Sequence, residues 1–333
     1  MSLIYISENG TKLSVNENRL TVTYRDGLLK TIPIENIEGI TLLSPAQVSA
    51  QCMEACIMHG IPIAYMSKGG RYFGRVSSTG HTKAALQRKQ SKLYYNDFSL
   101  NLAKRIMNAK LRNQKTILRR YARTDGIDIS SYSKSLEICA NKVWECESIS
   151  QVIGFEGQGA KAYFAGIAEC IEPEFKFVGR SRRPPKDEFN SLISLGYSIL
   201  MNELYSEIEM KGLNPYFGFV HRDDEKHPTL ASDLMEEWRA IIVDSTAMSL
   251  INGHEISKQD FMINIDEPGC FLTSSGLKSF LKKLELKLET KVKYMEDLEY
   301  PVTFRKGISI QIGRLVEAIE SENADIYKPI IIR

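Results

Sequence analysis

Hydrophobic and polar residues alternate along the first 80 residues, which is the pattern of β-strands. Leu20, Val22 and Tyr24 alternate with polar residues, and an Asp-Gly pair that suits a tight hairpin turn follows them. Apolar residues recur at helical spacing over one stretch, residues 48–56. The pattern therefore predicts a small β-rich domain at residues 1–80 that contains one helix.

The spacing of the hydrophobic residues changes from two to three or four after residue 90. Small polar residues separate the two patterns, and we place a linker at residues 81–90. Helical spacing then continues almost to the end of the chain, and in the first such helix Phe98, Leu102 and Ile106 share a face. The predicted fold class is α+β, with a small β-rich N-terminal domain followed by a larger all-α domain at residues 91–333.

The composition is that of a globular protein. The chain has 333 residues, of which 43% are hydrophobic and 25% charged, and this excludes a disordered chain. Because no apolar stretch reaches about eighteen residues and the N-terminus lacks the pattern of a secretory signal, we expect no membrane association. The six cysteines form no C-x-x-C pair, so we predict buried free thiols in a cytoplasmic protein rather than a zinc site or disulfides.

Positive charge is concentrated in two segments, although the net charge is only +2. Residues 83–123 hold 12 Lys or Arg and one acid, a net charge of +11. This segment is either a binding surface for a polyanion or a solvated helix face that balances the acidic remainder. A second segment, residues 176–186, has five cations and no acid, and it favours nucleic acid. The candidate DNA-binding residues are Arg119, Arg120, Lys176, Arg180, Arg182, Arg183 and Lys186.

Three acids follow a histidine in the second half of the chain. Asp233, Glu236 and Glu237 have the spacing of one helix face, and His221 precedes them. Closely spaced carboxylates repel one another, and a hard divalent cation such as Mg²⁺ or Mn²⁺ relieves the repulsion, with an imidazole favouring Mn²⁺. The alternative is a solvated acidic face in which Arg239 pairs with Glu236. Helical spacing alone allows either Glu236 or Glu237 to be a metal ligand.

Glu156 lies among three glycines, at positions 154, 157 and 159. Glycine destabilises a helix by roughly 1 kcal/mol relative to alanine, so the cluster suggests a close approach of another backbone to Glu156. The alternatives are a loop or a tight helix–helix crossing with Glu156 facing solvent, and a loop that cradles a phosphate. Farther along, Asn190 is either a donor that orients a ligand carboxylate or a solvent-facing amide, and Tyr197 is most simply a core aromatic residue.

Three motifs in this order resemble Cas-one, the integrase family of CRISPR spacer acquisition. The first is Gly154-Phe155-Glu156-Gly157 with Tyr163-Phe164, and the second is Arg183-Pro184-Pro185 with Asp187, Asn190, Gly196 and Tyr197. The third is Gly218-Phe219-Val220-His221 with Leu230-Ala231-Ser232-Asp233-Leu234-Met235-Glu236-Glu237. Weaker similarities reach Phe271-Leu272-Thr273 and Tyr327-Lys328-Pro329. Each motif is weak alone, whereas the ordered set is specific and covers the C-terminal domain.

The resemblance implies a metal-dependent DNA endonuclease and integrase whose larger domain is catalytic. Glu156, His221 and Glu236 correspond to the metal ligands of the family, and Asp233 to a further acid beside the catalytic site. Asn190 and Tyr163 correspond to supporting positions. The implied cofactor is Mg²⁺ or Mn²⁺, and the implied partners are double-stranded DNA, a second copy in a homodimer, and a small companion subunit, Cas-two, in a hetero-hexamer. The segment around His221 is similar to the type I-C branch.

The implied chemistry agrees with the residues. A cation held by two carboxylates and an imidazole would polarise a phosphodiester, and the 3′-hydroxyl of a captured DNA fragment would attack the boundary of a CRISPR repeat. With water as the nucleophile, the same site would act as a nuclease. A non-enzymatic DNA-binding scaffold protein is the alternative function. A metal hydrolase of small phosphate esters is disfavoured, because a small substrate does not need a dozen cations.

Overall fold

A computed structural model gives the fold and describes residues 2–182, 184–221, 223–264, 268–295 and 298–332. The alternating N-terminal pattern forms eight short strands and one helix. The strands are β1 Ser2–Ile6, β2 Lys12–Asn16, β3 Arg19–Thr23, β4 Leu29–Pro33, β5 Ile37–Leu42, β6 Gln47–Val48, β7 Ile63–Met66 and β8 Tyr72–Val76, and the helix is α1 Ala50–Met58.

The eight strands form two four-stranded sheets. One has the order β1-β5-β7-β8, in which β1 and β7 run parallel to β5, and β8 is antiparallel to β7. The other has the order β4-β3-β2-β6 and is antiparallel except for the β2–β6 pair. Apolar residues of both sheets and of α1, among them Leu13, Ile40 and Cys52, share one core. This is the predicted β-rich domain with one helix.

A helix occupies most of the predicted linker, so the linker prediction at residues 81–90 is wrong over that part. α2, Ala84–Leu93, begins soon after β8. Leu86, Gln90 and Leu93 recur at helical spacing and are buried, which explains why this polar-looking stretch packs as a helix. The Gln90 amide donates hydrogen bonds to the carbonyl oxygens of residues 214 and 217, so α2 supports the loop that leads to His221.

The remainder of the chain is mostly helical, as predicted. Its further helices are α3 Asp97–Asp125, α4 Ser130–Lys142, α5 Ile149–Glu169, α6 Glu188–Met210, α7 Thr229–Met235, α8 Ser245–Asn252, α9 Ser274–Leu288 and α10 Phe304–Glu320. Two short antiparallel pairs are also present, β9 Phe261–Asn264 with β10 Gly269–Leu272, and β11 Lys291–Val292 with β12 Val302–Thr303. The domain is therefore not strictly all-α. No helix in the described parts of the chain is both long and apolar enough to cross a bilayer.

Helices α3, α4 and α5 pack closely together and build the frame of the candidate site. A Cβ atom at Gly159 of α5 would lie 2.2 Å from Leu111 Cδ2 of α3, and one at Gly166 would lie 2.8 Å from Leu118 Cδ2. These glycines let α5 approach α3, whereas Gly154 and Gly157 have no heavy atom of another part of the chain within 4 Å of a would-be Cβ. A tight helix–helix crossing, the alternative interpretation of the glycine cluster, is thus found at Gly159, where the neighbouring group is a side chain. The expected approach of another backbone to Glu156 is wrong, and Glu156 does not face solvent but pairs with Lys110.

Candidate metal centre and nucleic-acid surface

Glu236 lies in a break between two helices. α7 ends at Met235, residues 236–238 form a turn, and a π-helical segment, Arg239–Asp244, follows. A π-helical segment has more residues per turn than an α-helix, so it changes the direction in which successive side chains point. The Glu236 side chain is only 3% exposed, and it contacts Lys110 of α3.

The ammonium group of Lys110 joins Glu156 to Glu236. Lys110 Nζ donates a hydrogen bond to Glu156 Oε1 on α5, and it lies 2.6 Å from Glu236 Oε2. The side chains of Lys110 and Glu156 are 8% and 18% exposed. The fold therefore brings two carboxylates from distant parts of the chain to the same buried cation.

His221 is oriented by Asp233 of α7. The distance from His221 Nδ1 to Asp233 Oδ1 is 2.6 Å, and the same carboxylate accepts hydrogen bonds from the backbone N–H groups of Phe219, Val220 and His221. With Nδ1 donating to Asp233, Nε2 keeps its lone pair, and it lies 3.9 Å from Glu236 Oε1. Asp233 is a positioning residue in this structure, because it fixes both the loop and the imidazole ring.

Opposing effects set the proton affinities of Glu236 and His221. Burial alone would raise the pKa of the Glu236 carboxyl, but the charges of Arg239, Lys110 and His221 outweigh it and lower the pKa to about 2. Burial has the opposite effect on a base and lowers the pKa of the His221 imidazole. The hydrogen bond and charge of Asp233 nevertheless leave that pKa above its ordinary value. Arg239 Nη2 lies 3.1 Å from Glu236 Oε1, as the alternative interpretation of the acidic helix expects.

Glu237 points away from this cluster. Its carboxylate accepts hydrogen bonds from the Tyr327 hydroxyl and from the backbone N–H of Ile330, at 2.5 and 2.6 Å. The expectation that Asp233, Glu236 and Glu237 share one helix face is therefore wrong for Glu237. The reason is that α7 ends before Glu236, so helical spacing no longer relates the two glutamates to Asp233. Of the two, only Glu236 contacts Lys110.

The side chains around Lys110 have the ligand chemistry of a divalent-cation site, but not its spacing. Glu236 Oε2 is buried, and the Lys110 ammonium lies 2.6 Å from it. Two carboxylates and a neutral imidazole nitrogen are ligands that Mn²⁺ and Mg²⁺ accept. Within the described residues, no three His, Cys, Asp or Glu side chains have the spacing of a metal site, because Lys110 stands between Glu156 and Glu236.

Asn190 supports the second basic segment, residues 176–182 and 184–186, hereafter the basic loop, rather than a carboxylate of the cluster. Its Oδ1 accepts hydrogen bonds from Arg180 Nη1 and the backbone N–H of Ser181, and its Nδ2 donates to the Gly179 carbonyl and to Asp187 Oδ2. The alternative of a solvent-facing amide is also wrong, since Asn190 is fully buried. Asn190 therefore fixes the segment that carries Arg182 and Lys186.

Tyr163 and Tyr197 both bind a buried carboxylate that the sequence does not single out. Their hydroxyls donate hydrogen bonds to Asp244, at 3.0 and 2.5 Å. Two guanidinium groups lie near the Tyr197 ring, that of Arg239 at 4.8 Å and that of Arg180 at 5.5 Å from its centroid. A continuous set of contacts thus connects the basic loop with Arg239 and Glu236.

The predicted DNA-binding residues differ in their surroundings. Arg119, Arg120, Arg182 and Lys186 have exposed side chains on α3 and on the basic loop. Lys176 is exposed but lies 3.4 Å from Glu169, and Arg180 points inward to Asn190 and Ser194. Arg183 lies outside the described residues. The positive charge of α3 is also partly neutralised, since Arg105 pairs with Asp325 and Lys115 with Glu137.

Lys110 is absent from the candidates that the sequence predicts, although a signal for it exists. It follows Ile106 by four residues, on the apolar face of α3, so helical spacing places its charge in the core. A buried lysine requires an acidic partner. This combination would have pointed to acids converging on α3.

The chain belongs to the CRISPR-associated protein Cas1 family, whose family model matches residues 4–286. This is the family that the three motifs resemble. A relative from Mycobacterium tuberculosis H37Rv, named CRISPR-associated endonuclease Cas1, is 33% identical over 324 residues, which cover 96% of this chain and 95% of the relative. A relative from Thermus thermophilus, CRISPR-associated endonuclease Cas1 3, is 32% identical over 336 residues. The aligned region covers 100% of this chain and 98% of the relative.

Solved structures have the same fold. A Cas1 protein from Thermotoga maritima has a TM-score of 0.81 at 23% identity, covering 100% of this chain and 99% of that one. A casposase bound to integration product has a TM-score of 0.87 at 21% identity, covering 99% of this chain and 94% of that one. The arrangement of a β-rich domain followed by a helical domain is therefore that of the family.

Proposed function

We propose that the protein is a divalent-metal-dependent DNA endonuclease and integrase that inserts captured DNA fragments into a CRISPR repeat array. The observation that supports this most is the convergence of Glu156 and Glu236 on the buried Lys110 ammonium, with His221 Nε2 at 3.9 Å from Glu236 Oε1. The two Cas1 relatives are named endonucleases, and a protein of the same fold is a casposase bound to integration product. Both facts agree with the proposal.

The proposed reaction is a direct transesterification. The 3′-oxygen of the captured fragment attacks a phosphorus atom at the repeat boundary, a new P–O bond forms, and the 3′-oxygen of the cleaved repeat strand leaves. Mg²⁺ or Mn²⁺, held by Glu156, His221 and Glu236, would polarise a non-bridging oxygen of the phosphate. Asp233 keeps His221 Nε2 directed at the site, and Arg239 holds the carboxylate of Glu236.

The proposed partners follow from the charge distribution and from the structural relatives. Exposed cations on α3 and on the basic loop, such as Arg119 and Arg182, would bind the phosphates of double-stranded DNA. A structure named as a complex of Cas6-RT-Cas1 with Cas2 has a TM-score of 0.85 to this chain. It supports assembly with a Cas2 companion, and we propose a homodimer within a hetero-hexamer. The six buried free cysteines support a cytoplasmic location, and the type I-C assignment stays a prediction.

Three single substitutions test the proposal. Glu156→Ala, His221→Ala and Glu236→Ala should each lower strand transfer into a repeat-containing DNA by at least about a hundredfold, because each removes a proposed metal ligand. DNA binding in a gel-shift assay should remain within a few-fold of the native protein. Glu225→Ala, an exposed acid of the loop after His221, is the matched control and should transfer strands normally.

Strand transfer by the native protein in the same assay separates an enzyme from a non-enzymatic DNA-binding scaffold. A scaffold would bind DNA and transfer no strand, with or without Mn²⁺. Normal strand transfer by all three alanine variants would instead contradict the assigned site while leaving the enzymatic activity intact.

A further inference from the structure

The Lys110 ammonium occupies the position where a cation bound by both glutamates would lie. It donates a hydrogen bond to Glu156 Oε1 and lies 2.6 Å from Glu236 Oε2. No other acid in the described residues lies within ion-pair distance of Lys110. The lysine therefore has the two proposed metal ligands as its charge partners.

The charges of the two glutamates are balanced by Lys110 and Arg239 without a metal ion. Glu156 and Glu236 contribute two negative charges, and Lys110 and Arg239 contribute two positive charges within 3.1 Å of the carboxylate oxygens. A divalent ion added to these four groups would leave surplus positive charge in a buried place, even with the Asp233 carboxylate on His221 counted, and this is unfavourable unless a cation leaves or an anion arrives.

Lys110 is the cation that can leave. Arg239 packs on the Tyr197 ring at 4.8 Å and is fixed on a π-helical segment. Lys110 carries its charge on a flexible four-carbon stem, and its ammonium group is shared between Glu156 Oε1 and Glu236 Oε2.

We propose that Lys110 is a built-in substitute cation that keeps the two glutamates paired in the free protein and that a divalent ion must displace in order to bind. This inference rests on the proposed metal dependence of the site. It makes Lys110 a positioning residue that regulates metal loading: it stabilises the metal-free fold and weakens the affinity for the metal.

The test measures Mn²⁺ affinity without DNA, by calorimetric titration of the native protein and of Lys110→Met. The variant should bind Mn²⁺ about tenfold more tightly or better, because the two glutamates lose their competing cation. Its melting temperature without metal should be lower than that of the native protein, and Mn²⁺ should raise it more. Lys110→Gln, which keeps a hydrogen-bond donor, takes its place if Lys110→Met does not fold.

Two controls separate this effect from a general change in charge. Lys110→Arg keeps a cation and should bind Mn²⁺ no more tightly than the native protein. Lys115→Met removes the same charge from the same helix, where Lys115 pairs with Glu137 at 3.1 Å, and should leave Mn²⁺ affinity unchanged.

The outcomes distinguish this inference from the proposed function. If Lys110→Met or Lys110→Gln binds Mn²⁺ with an affinity equal to or weaker than that of the native protein, the role of Lys110 is overturned and the metal dependence stands. If none of the proteins binds Mn²⁺, the proposed metal dependence fails, and the inference about Lys110 fails with it.

Discussion

Asp244 is a buried carboxyl group whose ionisation should be visible in the stability of the protein. Burial raises its pKa to about 6, although the hydroxyls of Tyr197 and Tyr163 and the charges of Arg180 and Arg239 lower it. Between about pH 4 and pH 6 the folded protein therefore retains a proton that the unfolded chain releases. Stability from this group is fully present below about pH 4 and is lost as the pH rises through about 6.

Asp244→Asn should remove this dependence. The native protein should lose up to about 3 kcal/mol of unfolding free energy from this group as the pH rises from about 4 to about 7, because its pKa is raised to about 6. The asparagine variant should not show that loss, so the difference between the two proteins should change with pH in urea unfolding. Asp224→Asn, at an exposed acid, is the control. A difference that stays constant over this range would contradict the raised pKa.

At the residue scale, the sequence predicts the identity of the candidate ligands better than their surroundings. Glu236 and Glu237 are adjacent and chemically identical, yet just after α7 ends at Met235 one contacts Lys110 while the other binds the C-terminal segment. Such a helix break depends on long-range packing, which local spacing does not contain. Local spacing also does not contain the role of Asp233 as a positioning residue, because that role depends on hydrogen bonds from three backbone N–H groups of a distant loop.

At the scale of elements, the glycines of α5 differ in function and give a matched pair of substitutions. Gly159→Ala should destabilise the protein by about 1–3 kcal/mol, because its Cβ would lie 2.2 Å from the fully buried Leu111. Gly157→Ala should stabilise it by up to about 1 kcal/mol, since no heavy atom outside the adjacent helix backbone lies within 4 Å of that Cβ and alanine favours a helix. Urea unfolding midpoints measure both changes. Shifts of the same sign for the two variants would show that the packing of α5 on α3 differs from this structure.

Element boundaries were predictable where one face of an element is strongly apolar. The β-rich pattern and the long α3 follow directly from spacing. Spacing did not predict α2, because the buried face of this helix contains Gln90, a polar residue whose partners are backbone carbonyls far along the chain. The short β9–β10 and β11–β12 pairs are also too brief for an alternating pattern to emerge.

At the scale of the whole molecule, charge counting predicts a polyanion partner but overstates the free charge. Of the cations in residues 83–123, Lys110 is buried, and Arg105 and Lys115 pair with acids from other elements. These acids lie far away in the sequence, so a count over one segment cannot include them. The cations with exposed side chains, on α3 and on the basic loop, are the ones expected to meet DNA.

The salt dependence of DNA binding should therefore depend on the exposed cations of the basic loop. Arg182 and Lys186 are exposed, whereas Arg180 is held by Asn190 and Ser194. Reversing both as Arg182→Glu and Lys186→Glu should weaken binding and flatten the slope of log K against log salt by roughly 2, since each lost phosphate contact reduces it by about 0.9. Lys282→Glu with Lys306→Glu, at exposed lysines outside both basic segments, changes the net charge equally. If this control pair flattens the slope as much as the loop pair, DNA responds to overall charge, and the basic loop is not a phosphate-binding surface.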